Sequence, residues 1–239
     1  MVKYEIDIEW HGRVAYQTAW DLQKRLVSER KENPALPGKL LLLEHPPTYT
    51  LGRNGQIDNL LLTEQQLAER GIGLYRVERG GDITYHGPGQ LVGYPILNLR
   101  QVYNGFGLGR VREYVTDIEE LLIQTLDQFG IIGIRHDHHR GVWVNTATGT
   151  SSGLAKIAAI GVRISGGISS HGFALNVAPN LDYFNGIIPC GINDLGVTSM
   201  AAQRNRDIAI QEVLPHLTTA FNHTFTTTQT PTHDLALSH

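Results

Sequence analysis

Three stretches of this chain hold side chains whose types and neighbours suit covalent chemistry. Cys190, in the run from Ile187 to Ile192, stands between Pro189 and Gly191. A tight turn built from those neighbours presents a thiol instead of packing it, although a free cysteine taken alone is more often inert core. Lys156 leads the apolar run from Ile157 to Gly161. Such a lysine is either a solvated strand end or an ammonium drawn into a dry site, where it can exchange protons or stabilise an anion. The third stretch, Arg79 to Gln90, places four glycines in twelve residues beside an arginine, a histidine, two hydroxyls and a glutamine. Glycine lets backbone approach a ligand and adopt positive φ. The stretch therefore reads either as a donor-rich ligand loop or as a polar turn between two strands. It carries neither the Gly-Lys-Ser/Thr of a phosphate loop nor the dinucleotide pattern G-x-G-x-x-G.

The elements that must position these groups follow from periodicity. Residues 14–30 read as a helix with Tyr16, Ala19, Trp20 and Leu26 on one face. Leu40 to Leu43 form a buried strand ending in a turn at His45, Pro46 and Pro47, and Tyr49 to Gly52 a short extended piece. Thr63 opens a short helix that Gly71 stops. The clearest helix spans about Arg110 to Phe129, with an apolar stripe of Val111, Val115, Ile118, Leu122 and Phe129 and a C-terminal cap at Gly130. Strands follow, over 141–144 and 156–165, with a turn at Gly166 and Gly167. Phe173, Leu175 and Val177 then alternate on one face. A last helix covers 207–221 with a kink or split expected at Pro215, and a polar tail from Thr224 is expected to fray. Runs of strands with helices at the start, middle and end predict an α+β fold. Residues 145–153 read as a loop inserted between strands.

Composition narrows the function class. A formal net charge of −3 gives no basic field for nucleic acid, and aromatics are not interleaved with basic residues. With one cysteine, no internal disulfide or multi-thiolate zinc site is expected, and a reducing, cytoplasmic setting fits. No signal peptide or membrane-spanning run is read. His136, His138 and His139 lack zinc spacing, so no metal is expected there. Gly105, Gly107 and Gly109 read as a flexible loop before the long helix.

Together these blocks resemble the lipoyl(octanoyl) transferases. Arg79 to Gln90 with Leu91 to Tyr94 is similar to that family's first signature. Lys156 to Gly161 with Gly167 to Val177 resembles the second, and Pro189 to Gly191 with Val197 to Ser199 the third. Leu42 to Pro46 and Tyr49 to Arg53 are similar too, and the likeness runs over residues 15–215 in family order.

The resemblance implies one catalytic domain over 1–239. Its fold would be that of the biotin/lipoate protein ligases, a mixed central sheet with flanking helices and a smaller second sheet. It implies an octanoyl thioester on Cys190, with Lys156 lowering the thiol pKa. Arg79, Gly80, Gly81, Asp82, Ile83, Thr84, Tyr85 and His86 would line the acyl and acceptor site. So would Ala159, Ile160, Gly161, Gly172, Phe173 and Ala174. The donor would be octanoyl-acyl carrier protein. The acceptors would be lipoyl domains of 2-oxoacid dehydrogenases and the glycine cleavage H protein, with no cofactor, nucleic acid or membrane. His86 and His171 compete with Lys156 for the proton transfers.

Three other readings are distinguishable. An ATP-dependent lipoate or biotin ligase needs the lysine but no cysteine. A non-catalytic module binding acyl carrier protein would form no adduct. A hydrolytic Cys–His enzyme lacks a clear His/Asn partner here.

Overall fold

The computed structural model describes residues 4–105, 107–146, 153–188 and 196–226. Among them a seven-stranded mixed sheet and a three-stranded sheet form the frame. The large sheet runs β1 (Ile6–Arg13), β2 (Gly38–Glu44), β6 (Gln90–Ile96), β9 (Ile168–Asn176), β8 (Leu154–Ser165), β10 (Gly196–Val197), with β7 (Val142–Asn145) also on β8. The small sheet is β4 (Gly73–Arg76), β3 (Thr48–Leu51), β5 (Ile83–His86). The expected α+β architecture is what these strands and the helices α1 (Tyr16–Glu32), α2 (Glu64–Glu69), α3 (Leu99–Val102), α4 (Leu108–Asp127), α5 (Met200–Arg204) and α6 (Ile210–Thr226) build. No helix of the described residues is long and apolar enough to cross a membrane.

The two faces of the large sheet are covered differently. Leu40, Leu42, Leu91, Phe173, Leu175 and Val177 belong to the core shared with α4 and α6. Leu41, Leu43, Val92, Tyr94 and Ala174 meet Ala19 and Leu26 of α1. That split is the period-two alternation of a strand. Gly166 and Gly167, with φ of +65° and +90°, make the tight β8–β9 turn that two positive-φ residues allow.

Several expectations shift in detail. β1 and β4 have no counterpart among the expected strands; β1 is an edge strand with Asp7 and Glu9 between its apolar residues, and β4 is only four residues long. The buried face of α4 centres on Tyr114, Ile118, Leu121, Leu122 and Leu126, whereas Val111 and Val115 are half-buried. The last helix starts at Ile210 and runs unbroken through Pro215 to Thr226. Phe225 holds its end, packed against Tyr114 and Phe221, so the helix persists past the position where fraying was expected. Of the 145–153 loop, residues 147–152 lie outside the described ones; Thr146 N–H donates to Gly153 O at 2.9 Å.

Close strand contact makes Gly172 indispensable. A Cβ there would stand 2.2 Å from the Gly93 carbonyl oxygen and 2.6 Å from Pro95 Cδ. Neither is a flexible side-chain end, so Gly172→Ala should cost about 3 kcal/mol or more in urea unfolding. An unchanged midpoint would mean that β6 and β9 can separate at little cost.

Candidate active site

A cavity of about 610 Å³ opens between the two sheets, within the range of small-molecule sites. Its wall is built by β8 and β9 on one side and by β5 with the preceding glycine loop on the other. Val142 pairs with Ala158 while Trp143 pairs with Lys156, so Ile157 is an extra residue, a bulge that turns the strand locally. Ile157 and Ala158 both enter the core, and Lys156, Ala159 and Gly161 all border the cavity despite their uneven spacing. Ile160, Gly172, Phe173 and Ala174 border it as well.

The glycine loop is pressed onto β8. Gly80 N–H donates to Val162 O at 3.0 Å. A Cβ on Gly161 would come within 3.0 Å of Arg79 Cδ and the Gly80 oxygen, so glycine permits the approach. Arg79 is buried, and its Nη2 donates to Thr50 O at 2.7 Å and Thr50 Oγ1 at 2.8 Å. Its Nη1 donates to Gly80 O at 3.0 Å, joining β3 to the loop. Gly80, Gly81, Asp82, Ile83, Thr84 and His86 all border the cavity. Tyr85 does not. Strand alternation sends Ile83 and Tyr85 into the core of the small sheet, where Tyr85 stacks on Tyr183 at 4.8 Å.

Asp82 holds the chain that leads toward Cys190. Its Oδ2 accepts from Asn59 Nδ2 at 2.5 Å, and its Oδ1 from Ile83 N at 2.7 Å. Asn59 O in turn accepts from Ile188 N at 2.8 Å, and Leu60 bridges Ile187. Cys190 itself, with the rest of 189–195, lies outside the described residues. Beyond it, Gly196 and Val197 pair in parallel with Ala155 and Lys156, and Thr198 N–H donates to Lys156 O at 3.0 Å.

The environment of Lys156 is aromatic and cationic. Its Nζ lies 4.6 Å from the centroid of the buried Trp143 ring, a cation–π distance. Trp143 Nε1 donates to His139 O at 3.1 Å, and His136 packs 5.3 Å from the Trp143 ring. His138, His139 and Arg140 border the cavity. Burial, and then the charges of His136 and Lys156, hold His139 below its ordinary pKa.

Three histidines in and behind the walls are kept neutral, of which His86 on β5 and His171 on β9 border the cavity. His86 Nδ1 meets Gln90 Oε1 at 2.8 Å; Gln90 Nε2 donates to Asn176 Oδ1 at 2.9 Å and Tyr85 O at 3.1 Å. That network assigns the His86 proton to Nδ1. Asn176 Nδ2 continues it to Thr198 O at 3.0 Å, reaching the strand beside Lys156. Burial pushes His45 down to about 4 and His171 down to about 3, and puts His86 well below the usual value.

Sequence reasoning singled out the two walls but missed Tyr16, Tyr94, Asn176 and the His138 to Arg140 corner as lining. Gln90 and Asn176 stood inside the quoted blocks; the histidine corner carried no local signal.

Residues 15–222 match the family model described as the lipoyl protein ligase A/B catalytic domain. The octanoyltransferase of Koribacter versatilis is 47% identical over 214 residues, 90% of this chain and 82% of that protein. The octanoyltransferase of Acidobacterium capsulatum is 51% identical over 191 residues, 79% and 76% of the two. That of Cytophaga hutchinsonii is 41% identical over 93% of this chain and 96% of its own length. Among solved structures, a bipartite lipoate protein ligase from Thermoplasma acidophilum superposes with a TM-score of 0.66 at 15% identity. It covers 94% of this chain and 84% of its own. A lipoate-protein ligase A bound with ATP gives 0.64 at 14% identity, over 93% and 85%. At that identity the likeness is one of fold.

Proposed function

This chain belongs to the lipoyl protein ligase A/B catalytic-domain family, and from that premise we propose that it moves an octanoyl group onto lysines of lipoyl domains through a thioester on Cys190. The transfer itself is supported by the octanoyltransferases that match most of the chain at 41–51% identity. The intermediate is supported by one observation above all. The strand that follows residues 189–195 is hydrogen-bonded to the backbone of Lys156, while Ile188 before them is tied to Asn59. Anchors so placed allow the Cys190 thiol, two residues beyond Ile188 in the sequence, to reach this cavity.

The donor is octanoyl-acyl carrier protein. An ammonium close to the sulfur favours the thiolate over a thiol of ordinary pKa near 8.5. The thiolate attacks the donor carbonyl, the carbon–sulfur bond to the carrier arm breaks, and the carrier leaves as a thiol after taking one proton from the Lys156 ammonium, which becomes a neutral amine. The acceptor lysine, as free amine, then attacks the Cys190 thioester. An amide forms, the Cys190 thiolate leaves, and the nitrogen sheds a proton to Lys156. The first step exchanges thioesters of similar energy and the second runs downhill to an amide, so neither needs ATP. Phe173, Ala174, Ile160 and Val115 supply an apolar wall for the chain, each buried methylene contributing about 0.8 kcal/mol. The acceptors are the lipoyl domains of 2-oxoacid dehydrogenases and the glycine cleavage H protein.

Intact-mass analysis after mixing with octanoyl-acyl carrier protein tests this. The wild type should gain one octanoyl group, labile to hydroxylamine, and Cys190→Ser none. Full octanoylation of a lipoyl domain by Cys190→Ser, or a requirement for ATP with free octanoate, would replace the thioester route with ligase chemistry.

A further inference from the structure

A second pocket, of about 240 Å³, lies beside the cavity and shares His171 with it. Its wall is made by Gln23, Lys24 and Lys31 of α1, Arg163 and Ser165 of β8, and Ser170 of β9. A water molecule occupies about 30 Å³ of liquid, so the space exceeds that of a single trapped solvent. Gln23 is the informative residue. It is 1% exposed, and its Oε1 accepts from the His171 backbone N–H at 2.8 Å. That bond fixes the amide orientation, and Nε2 is then a buried donor with no acceptor among the described residues. Leaving such a donor unmet in a buried site is costly, so an acceptor there is favoured.

The surrounding charge is positive. Lys24, Lys31 and Arg163 border the pocket, and the carboxylates of Asp21 and Glu78, which pair with Lys24 and Arg163, do not. Lys31 Nζ reaches Ser165 Oγ at 2.8 Å, closing one side. After burial and Arg79, Arg163 and Lys24 are the charges that hold His171 neutral, so both cations act at the partition between pocket and cavity. The donors come from two elements, Gln23 and Lys24 from α1 and Arg163 from β8, and the two positive side chains with a neutral amide N–H suit a multiply charged oxyanion.

We propose that this pocket is an oxyanion site that takes a phosphate ester, with Gln23 Nε2, Lys24 and Arg163 as its donors. Arg163 stands seven residues along β8 from Lys156, about 20 Å at the rise of a strand. The octanoyl-transfer reading, on which this choice of source rests, supplies such a group: the phosphodiester of the carrier protein's pantetheine arm. A free phosphate ester is the other source of the same chemistry.

Calorimetric titration with inorganic phosphate, 4′-phosphopantetheine and pantetheine tests the site without any turnover. Saturable phosphate binding is expected, weakened about fivefold or more in Arg163→Gln, Lys24→Gln and Gln23→Glu. The first two replace partly exposed side chains, so they keep the test decisive if Gln23→Glu fails to fold. Phosphopantetheine binding at least fivefold tighter than either pantetheine or inorganic phosphate identifies the carrier arm as the source. Equal affinity with phosphate still bound supports the site and assigns it to a free phosphate ester. Absence of saturable phosphate binding, or wild-type affinity in the two surface variants, overturns the proposal. Loss of octanoyl transfer with phosphate binding intact would count against the proposed reaction and leave this site standing.

Discussion

Lys156→Met should lower octanoyl transfer by on the order of 10³-fold or more, and Lys156→Arg should separate the two half-reactions. At pH 7.5 a thiol of pKa 8.5 is about one-tenth ionised, so losing the cation alone accounts for only about a tenfold drop. The rest comes from proton transfer, typically worth about 10²–10⁴-fold. Arginine keeps the charge and stacks on an aromatic face as lysine does, but it does not give up its proton near neutral pH. The Trp143 ring 4.6 Å from Nζ offers that stacking surface. Acylation of Cys190 should therefore persist in Lys156→Arg, seen as a stoichiometric burst by intact mass, while turnover to the lipoyl domain falls to the level of Lys156→Met. Wild-type turnover in Lys156→Arg would transfer the proton work to another group, with His139, which borders the cavity and feels the charge of Lys156, the first candidate.

Stability should fall steeply between pH 6.5 and 5. His45, His86 and His171 are all held neutral in the folded state below their ordinary pKa, chiefly by burial. The unfolded chain takes up protons near pH 6.5 and the folded chain does not, so the unfolded state binds more protons across this window and stability rises with pH. The contribution is complete above about 6.5 and is lost progressively as pH drops toward the folded values, about 4 for His45 and about 3 for His171. Each group approaches about 1.4 kcal/mol per pH unit below the unfolded value, so three lose roughly 5 kcal/mol from pH 6.5 to 5. That rivals the whole stability of an ordinary domain. Glu9, Asp21, Glu120 and Glu212 are shifted below their ordinary carboxylate values and act at lower pH. Urea midpoints measured across this range should drop accordingly, and His171→Asn should flatten the slope by about a third. A flat profile would mean that these rings are solvated and protonate freely.

The histidine triangle was half visible in the sequence. His45, His86, His171 and Tyr94 all sat in the family-like blocks, but the neutral state of the rings depends on those separate blocks and Tyr16 of α1 meeting in space, at ring distances of 5.0–6.3 Å. Spacing along a chain does not report such contacts. Tyr85 shows the opposite case. Period-two alternation in Ile83 to His86 already sets Ile83 and Tyr85 apart from Thr84 and His86; the first pair enters the core of the small sheet, and Tyr85 leaves the cavity altogether whereas Ile83 still touches its rim. The helix around Tyr16 to Glu32 and the β8–β9 turn were legible because apolar periodicity and paired glycines act locally. β1 was not, since Asp7, Glu9 and Arg13 interrupt its apolar residues and leave a charged edge. The corner of His138 to Arg140 is placed by the long-range pairing of β7 with β8, and no local pattern announces it.

The pH dependence of Cys190 alkylation tests the central claim most directly, because the chain has a single thiol and the rate follows its ionised fraction. The wild-type midpoint is expected at least about one unit below 8.5, returning toward 8.5 in Lys156→Met. Identical midpoints in the two proteins would show that Lys156 does not hold the sulfur as a thiolate.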